Sequence, residues 1–268
     1  MPEDGVRSLS ARLARQGHAA ITAVQFLTRL PLPGGMNQHP SDRTLLVDAV
    51  AYFPLVGALI GLVTGWLVWA AATVWPIGLA VVLAVAVEAV LTGAFHEDAV
   101  ADCCDAFGGG WTREQVLHIL KDSRVGSFGV LGLGLAVAVR VGAIAALPGE
   151  VLVAAVMASA ALGRWAIVLL MWLVPPEPER EGLSKDVGQG VGAGALAGAT
   201  LWLAVGLGWY GWLEPVRAAV CVAAVAVVTL GWGYFVRERL GGVTGDTLGC
   251  CCYLGQCVTL LLACATIG

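Results

Sequence analysis

Charge is what this chain has least of. Only 13% of its 268 residues are Asp, Glu, Lys or Arg, while 58% are hydrophobic and the mean hydropathy is +0.82. An ordinary soluble domain carries about 25% charged residues, so a soluble globule is excluded. The 15 Lys and Arg are outnumbered by 19 acids, which leaves no basic surplus with which to bind nucleic acid. No CxxC pair occurs among the eight cysteines, so the spacing of a structural zinc site is missing. Most of them lie in or beside apolar runs, where a free thiol behaves as a small hydrophobe. The N-terminal MPEDGVRSLSARLARQGHAA carries acids and has neither the apolar core nor the small-residue cleavage site of a secretory signal. The apolar runs lack polar faces at helical period, which excludes a soluble bundle. They also lack two-residue alternation, which excludes a transmembrane β-barrel.

What is present is length. Apolar stretches recur at about 20 residues, enough to cross a bilayer core. They predict spans at about 49–75, 77–95, 127–147, 151–174, 191–213, 216–236 and 248–267. The expected fold is all-α: a polytopic integral membrane helical bundle of about seven transmembrane helices, forming a single domain over residues 1–268. The segment ARLARQGHAAITAVQFLTRLPLP reads as an N-terminal amphipathic helix on the membrane surface. Arg7, Arg12, Arg15, Arg29 and Arg43 precede the first span, and Arg113, Lys121 and Arg124 follow the second. Arg180 and Lys185 follow the fourth, and Arg237 and Arg239 the sixth, whereas the alternate connections hold only Arg217. By the positive-inside rule the N-terminus and the long polar loops face the cytoplasm.

The sharpest chemical signal is FHEDAVADCCD, residues 95–105. If the second span continues as helix past Phe95, then Asp98, Asp102 and Asp105 fall at i, i+4 and i+7 on one face. Like charges so spaced repel by about 0.2–0.5 kcal/mol per pair, and no basic residue stands among them. Mg²⁺ would offset the repulsion, since it binds through one or two carboxylates and completes its shell with phosphate and water. Glu97 projects about a quarter turn away, as an outer partner of the metal. The competing reading is a helix end whose acids are only solvated.

Farther along, HILKDSRVGSFG brings Lys121 and Arg124 near the acids, with Gly126 and Gly129 open to close backbone approach. Mg²⁺ with Lys and Arg suits a phosphoryl group in transfer. RERLGGVTGDTLG pairs Arg237 and Arg239 with a glycine-rich helix start, a place that binds anions. There Asp246 is either the helix N-cap or a ligand contact. EPEREGLSKDVGQG offers Arg180 as a substrate contact or as part of a solvated loop. Inside the spans Glu88, Arg140 and Arg164 stand out, and Arg164 is read either as a structural ion pair with Glu88 or as facing a substrate.

Taken in order, FLTRLPLP, FHEDAVADCCDAFGGG, ILKDSRVGSFG, REGL and LGGVTGDTLG resemble the cobalamin synthase family, the adenosylcobinamide-GDP ribazoletransferases, from about residue 23 to 256. The resemblance implies a membrane transferase of the bacterial inner membrane with its active site toward the cytoplasm. It would join adenosylcobinamide-GDP to α-ribazole or its 5′-phosphate and release GMP, with Mg²⁺. It implies metal contacts from Glu97, Asp98, Asp102, Asp105 and Asp246, catalytic roles for His96, Asp98, Asp102, Lys121 and Arg124, and substrate contacts from Arg29, Asp122, Ser123, Arg180, Arg239, Thr244 and Asp246. His96 is the candidate base. The expected partners are these substrates and the lipid bilayer, and a homo-oligomer or a complex with other enzymes of cobalamin synthesis is compatible. The chain departs from the family pattern at CCCYLGQ, where Tyr253 and Gln256 take positions that commonly hold acids. Two rival readings are another Mg²⁺-dependent membrane phosphotransferase or prenyltransferase, and a cation transporter.

Overall fold

The structure is a computed structural model describing residues 2–31, 43–178 and 191–266. Its helices are α1 (Pro2–Leu27), α2 (Arg43–Val50), α3 (Phe53–Ala71), α4 (Ile77–Thr92), α5 (Phe95–Gly109), α6 (Arg113–Ile119), α7 (Ser127–Ala145), α8 (Gly149–Leu173), α9 (Ala193–Leu213), α10 (Pro215–Leu240) and α11 (Gly245–Cys264). Among the described residues the sole β-type pairing is an isolated bridge between Pro176 and Val243. Proline marks the starts: Pro54 and Pro215 lie in first turns, where the missing N–H costs nothing.

Six helices, α3, α7, α8, α9, α10 and α11, are each long and apolar enough to cross a membrane. Sixteen-residue α4 is not. It rises about 24 Å at 1.5 Å per residue, short of a hydrocarbon core of about 30 Å. The expectation that the second span runs on straight past Phe95 is therefore corrected. The chain breaks at Gly93 (φ 71°) and Ala94 (φ 55°), and α5 leaves at 92° to α4. Counted together as one broken span, the two bring the total among the described residues to seven.

The core is built around α8, which packs against α3, α11, α9 and α10. Its tightest neighbour is α3, where Gly57, Gly61 and Gly65 repeat every fourth residue. A Cβ on Gly61 would lie 2.6 Å from the Val156 carbonyl oxygen, and one on Gly65 would lie 2.9 Å from Val153 Cα. Within lipid such close backbone approach supplies the attraction that hydrophobicity cannot. Helix α1 buries Ala19, Thr22, Ala23 and Leu27 and exposes Arg15, Gln16 and His18, as its amphipathic sequence predicts.

Helix α5 lies along α7 in the opposite sense. Glu97 meets Arg140, the Cys104 side chain packs on Gly132, and Asp105 meets Gly126 and Gly129. The polar connections gather at one end of the bundle. There Arg113 on α6 binds Glu177, just past α8, and donates to the Leu240 carbonyl at the end of α10 at 3.0 Å. Arg239 donates to the Gly110 carbonyl at 2.9 Å. At the opposite end Arg217 donates to the Ala263 carbonyl at 2.9 Å.

Candidate active site

Helix α5 carries two faces with different destinations. His96, Ala99, Val100, Cys103 and Ala106 recur at three- and four-residue intervals and are buried against α11 and α7. The α5–α11 seam is close enough that a Cβ on Gly249 would lie 2.6 Å from that of Ala99. Cys103 and Cys250 lie together in a small buried cluster with Val100, Tyr253 and Cys257. All eight cysteines are free. Asp98 lies on the outward face and is exposed, and Asp102, one turn on, is half-buried.

The acids divide by partner. Asp105 accepts the Gly126 amide at 2.6 Å and the Gly129 amide at 2.7 Å, one on each oxygen. It therefore caps the start of α7, a role beside the metal contact expected of it. The glycines have the reason anticipated for them, because a Cβ on Gly126 would lie 2.6 Å from the Asp105 carboxylate. Glu97, expected as an outer partner of the metal, turns inward to Arg140 at 3.4 Å. Asp246, half-buried in the first turn of α11, is not that helix's cap. Thr244 is, through a reciprocal pair with Thr247: the Thr247 amide donates to Thr244 Oγ1 at 3.3 Å, and the Thr247 hydroxyl accepts the Thr244 amide at 2.8 Å. Thr244, expected as a substrate contact, is fully buried.

The basic residues divide likewise. Lys121 is exposed. Arg124 is held by Asp122 through Nε at 3.0 Å and Nη2 at 2.6 Å. The guanidinium holds the Asp122 carboxyl down at about 2, so this residue stays anionic and would repel a phosphate. Ser123 is exposed. Arg239 is engaged by the Gly110 carbonyl, and Arg29 lays its side chain over Gly93 while its amide donates to the Leu91 carbonyl at 2.8 Å. The Arg239 side chain is thus engaged by the chain, while the Arg29 side chain packs over Gly93 and is exposed. Arg180 lies outside the described residues.

His96 is sealed under α5 at 2% exposure, and its Nε2 has no hydrogen-bond partner. A base must reach the proton it takes, and in this arrangement no open surface leads to the His96 ring. Sequence reading missed His118 on α6. It is exposed and shares a cleft of about 240 Å³ with Glu114, Leu117, Lys121 and Glu177. The signal in the sequence was its place in HILKDSR, four residues before Asp122.

Buried charge is visible in the sequence, but its pairing differs from the one considered there. Glu88 binds Arg140, at 2.6 and 2.7 Å, and not Arg164. The cause is packing, since α4 lies against α3 and α7. Arg164 instead reaches the Ala160 carbonyl at 3.4 Å. Tyr253 and Gln256 are both buried: the Tyr253 ring lies 5.5 Å from the Arg140 guanidinium carbon, and Gln256 Nε2 lies 3.7 Å from Cys252 Sγ.

Among the described residues no three of His, Cys, Asp and Glu come together as a ready ligand set. The three-aspartate grip is thus not formed. Asp98 is exposed and Asp102, one turn on, is half-buried; two carboxylates at that spacing fit an ion that takes one or two carboxylates and fills its shell with phosphate and water.

The family model described as cobalamin-5-phosphate synthase matches residues 19–264. The chain belongs to the cobalamin-5-phosphate synthase family. It is 38% identical over 250 residues to the adenosylcobinamide-GDP ribazoletransferase of Leptothrix cholodnii, covering 89% of this chain and 92% of that one. The ribazoletransferase of Shewanella frigidimarina is 37% identical, covering 90% and 94%, and that of Rhizobium etli is 38% identical, covering 89% and 93%. No solved structure matches. In this cobalamin-5-phosphate synthase family member every residue placed above, from Arg29 to Gln256, falls inside the matched region.

Proposed function

We propose that the chain joins adenosylcobinamide-GDP to α-ribazole, or to ribazole 5′-phosphate, and releases GMP at the cytoplasmic face of a bacterial inner membrane. The observation that carries this reading is the family match over residues 19–264, with relatives of that activity covered over more than nine-tenths of their length. In the reaction a ribose hydroxyl oxygen attacks the phosphorus bound to the cobinamide arm. The new P–O bond forms as the bond to the bridging oxygen of GMP breaks, GMP carries away the electron pair, and the hydroxyl proton passes to a base.

Magnesium, when bound, would neutralise the diphosphate and polarise the attacked phosphorus. Asp98 and Asp102 would hold it, with Asp246 contributing from α11. Lys121, exposed on the turn after α6, offsets charge on the departing GMP. Arg124 joins it only by exchanging Asp122 for phosphate, a trade the planar guanidinium makes readily because both partners present paired oxygens. His118 is the imidazole placed to take the hydroxyl proton at a ring nitrogen, since it is exposed and shares its cleft with Lys121.

The test is GMP release by the purified protein in nanodiscs with adenosylcobinamide-GDP, α-ribazole and Mg²⁺. Asp98→Asn and Asp102→Asn are expected to lose nearly all turnover while keeping the wild-type unfolding midpoint. GMP release that follows a lipid alcohol instead of ribazole would assign a different phosphotransferase. Wild-type rates in both variants would remove the metal site.

A further inference from the structure

One guanidinium holds both sides of the break in the α4–α5 span. Glu88 lies before the break and Glu97 after it. Arg140 Nη2 donates to Glu88 Oε1 at 2.6 Å and to Oε2 at 2.7 Å, while Nη1 reaches Glu97 Oε1 at 3.4 Å. Arg140 is 1% exposed and Glu88 3%. Thr64 on α3 donates to Glu88 Oε2 at 2.8 Å, and the Tyr253 ring of α11 stands beside the guanidinium. Four helices besides α7 therefore meet around this one side chain. Arg164, also buried, is within electrostatic reach of Glu88, so two carboxylates and two guanidinia balance inside the bundle.

A buried ion pair is poor evidence of added stability, because desolvation cancels much of its attraction. What it does supply is direction. We propose that Arg140 is a positioning residue: by gripping Glu88 and Glu97 together it fixes the bend and the roll of α5, and so the aim of Asp98 and Asp102. Glu97 precedes Asp98 directly, and successive helix residues turn by about 100°, so a rotation that frees Glu97 swings both aspartates. The far end of α5 is already fastened by Asp105 to the start of α7. Arg140 fastens the near end, and the two aspartates lie between the fastenings. Bridging two carboxylates needs a rigid fork of several donors, which lysine lacks. The inference that this aim serves turnover rests on the proposed transferase reaction, whereas the clamp itself does not.

Arg140→Lys and Glu97→Gln are compared with the parent in nanodiscs by two readouts. The first is the distance distribution between spin labels at Leu83→Cys on α4 and Gly109→Cys on α5, both exposed positions, in a background with the native cysteines replaced. A narrow distribution is expected in the parent and a broadened or displaced one in both variants. The second, in the native-cysteine chain, is ribazole-dependent GMP release. There kcat is expected to fall about 10- to 100-fold, as misplacement of about 1 Å does, with the KM for ribazole held within about twofold. A purely structural pair would lower the yield of folded protein but leave kcat per folded molecule unchanged, and that result overturns the proposal. Parent-like distances in both variants overturn the clamp whatever the kinetics show. If the parent itself releases no GMP, the transferase reading fails while the distances still decide the clamp. Should the cysteine-replaced chain not fold, the kcat-against-KM split in the native-cysteine chain decides alone.

Discussion

Asp105 and Asp98 are the same amino acid on the same helix, seven residues apart, and the structure gives them opposite surroundings. Asp105 has an amide on each oxygen, from Gly126 and Gly129, while Asp98 is exposed. Asparagine at 105 keeps one acceptor oxygen but turns an NH₂ toward a backbone donor, so one charge-assisted hydrogen bond is replaced by repulsion between two N–H groups. The expected destabilisation is about 1–3 kcal/mol. Asp105→Asn should therefore lower the thermal unfolding midpoint in nanodiscs while retaining, per folded molecule, most of the turnover that Asp98→Asn abolishes. Equal and near-total loss of turnover in the two variants, with Asp105→Asn as stable as wild type, would assign Asp105 to the metal. The spacing put all three aspartates on one face, and they do share it. Their partners could not be read from spacing, because the amides that claim Asp105 come from a different helix.

At the scale of the element, the break between α4 and α5 is held in place by its surroundings and not by its own preference. Gly93 adopts φ 71° freely, and the Arg29 side chain lies where its Cβ would be. Ala94 at φ 55° is a different case, since a left-handed residue with a Cβ is strained by about 1–2 kcal/mol. Replacing Ala94 with glycine removes that strain, and the freer unfolded chain takes back part of the benefit. Ala94→Gly is accordingly expected to raise the unfolding midpoint, with a net stabilisation of about 0.5–1 kcal/mol, where glycine inside an unbroken helix would lower it. A lowered midpoint would mean that the chain runs through residue 94 as ordinary helix. Nothing in IGLAVVLAVAVEAVLTGAFHEDAV announces the break except Gly93, one glycine in a chain that has 36. The same concealed break hid the burial of His96: the run HEDAVADCCD looks polar as a whole, and only a helix restarting at Phe95 beside α11 shows that His96, Ala99 and Cys103 form its inward stripe.

For the molecule as a whole, the class and six of the seven expected spans were legible because a bilayer imposes length and apolarity on every crossing. The partner of Glu88 was not, because either buried arginine satisfies the sequence and only the packing of α4 on α7 selects Arg140. Sidedness lies between these cases. Arginine and lysine were expected to mark one side, and the structure does bring Arg113, Arg239 and Lys121 to one end, with Glu177 and the start of α11. Trp111 and Trp212, each 86% exposed, stand on opposite ends of the bundle: one follows α5 among these basic groups, and the other closes α9 near Arg217. A single cysteine at either position, in the cysteine-replaced background, reports its side through a membrane-impermeant maleimide. Trp212→Cys should label in intact cells, and Trp111→Cys only after the inner membrane is opened. The reverse pattern would put Lys121, His118 and the outward face of α5 on the side away from GMP and ribazole, which the proposed chemistry does not survive. Labelling of both from one side would mean that the bundle does not cross the bilayer in the order its helices imply.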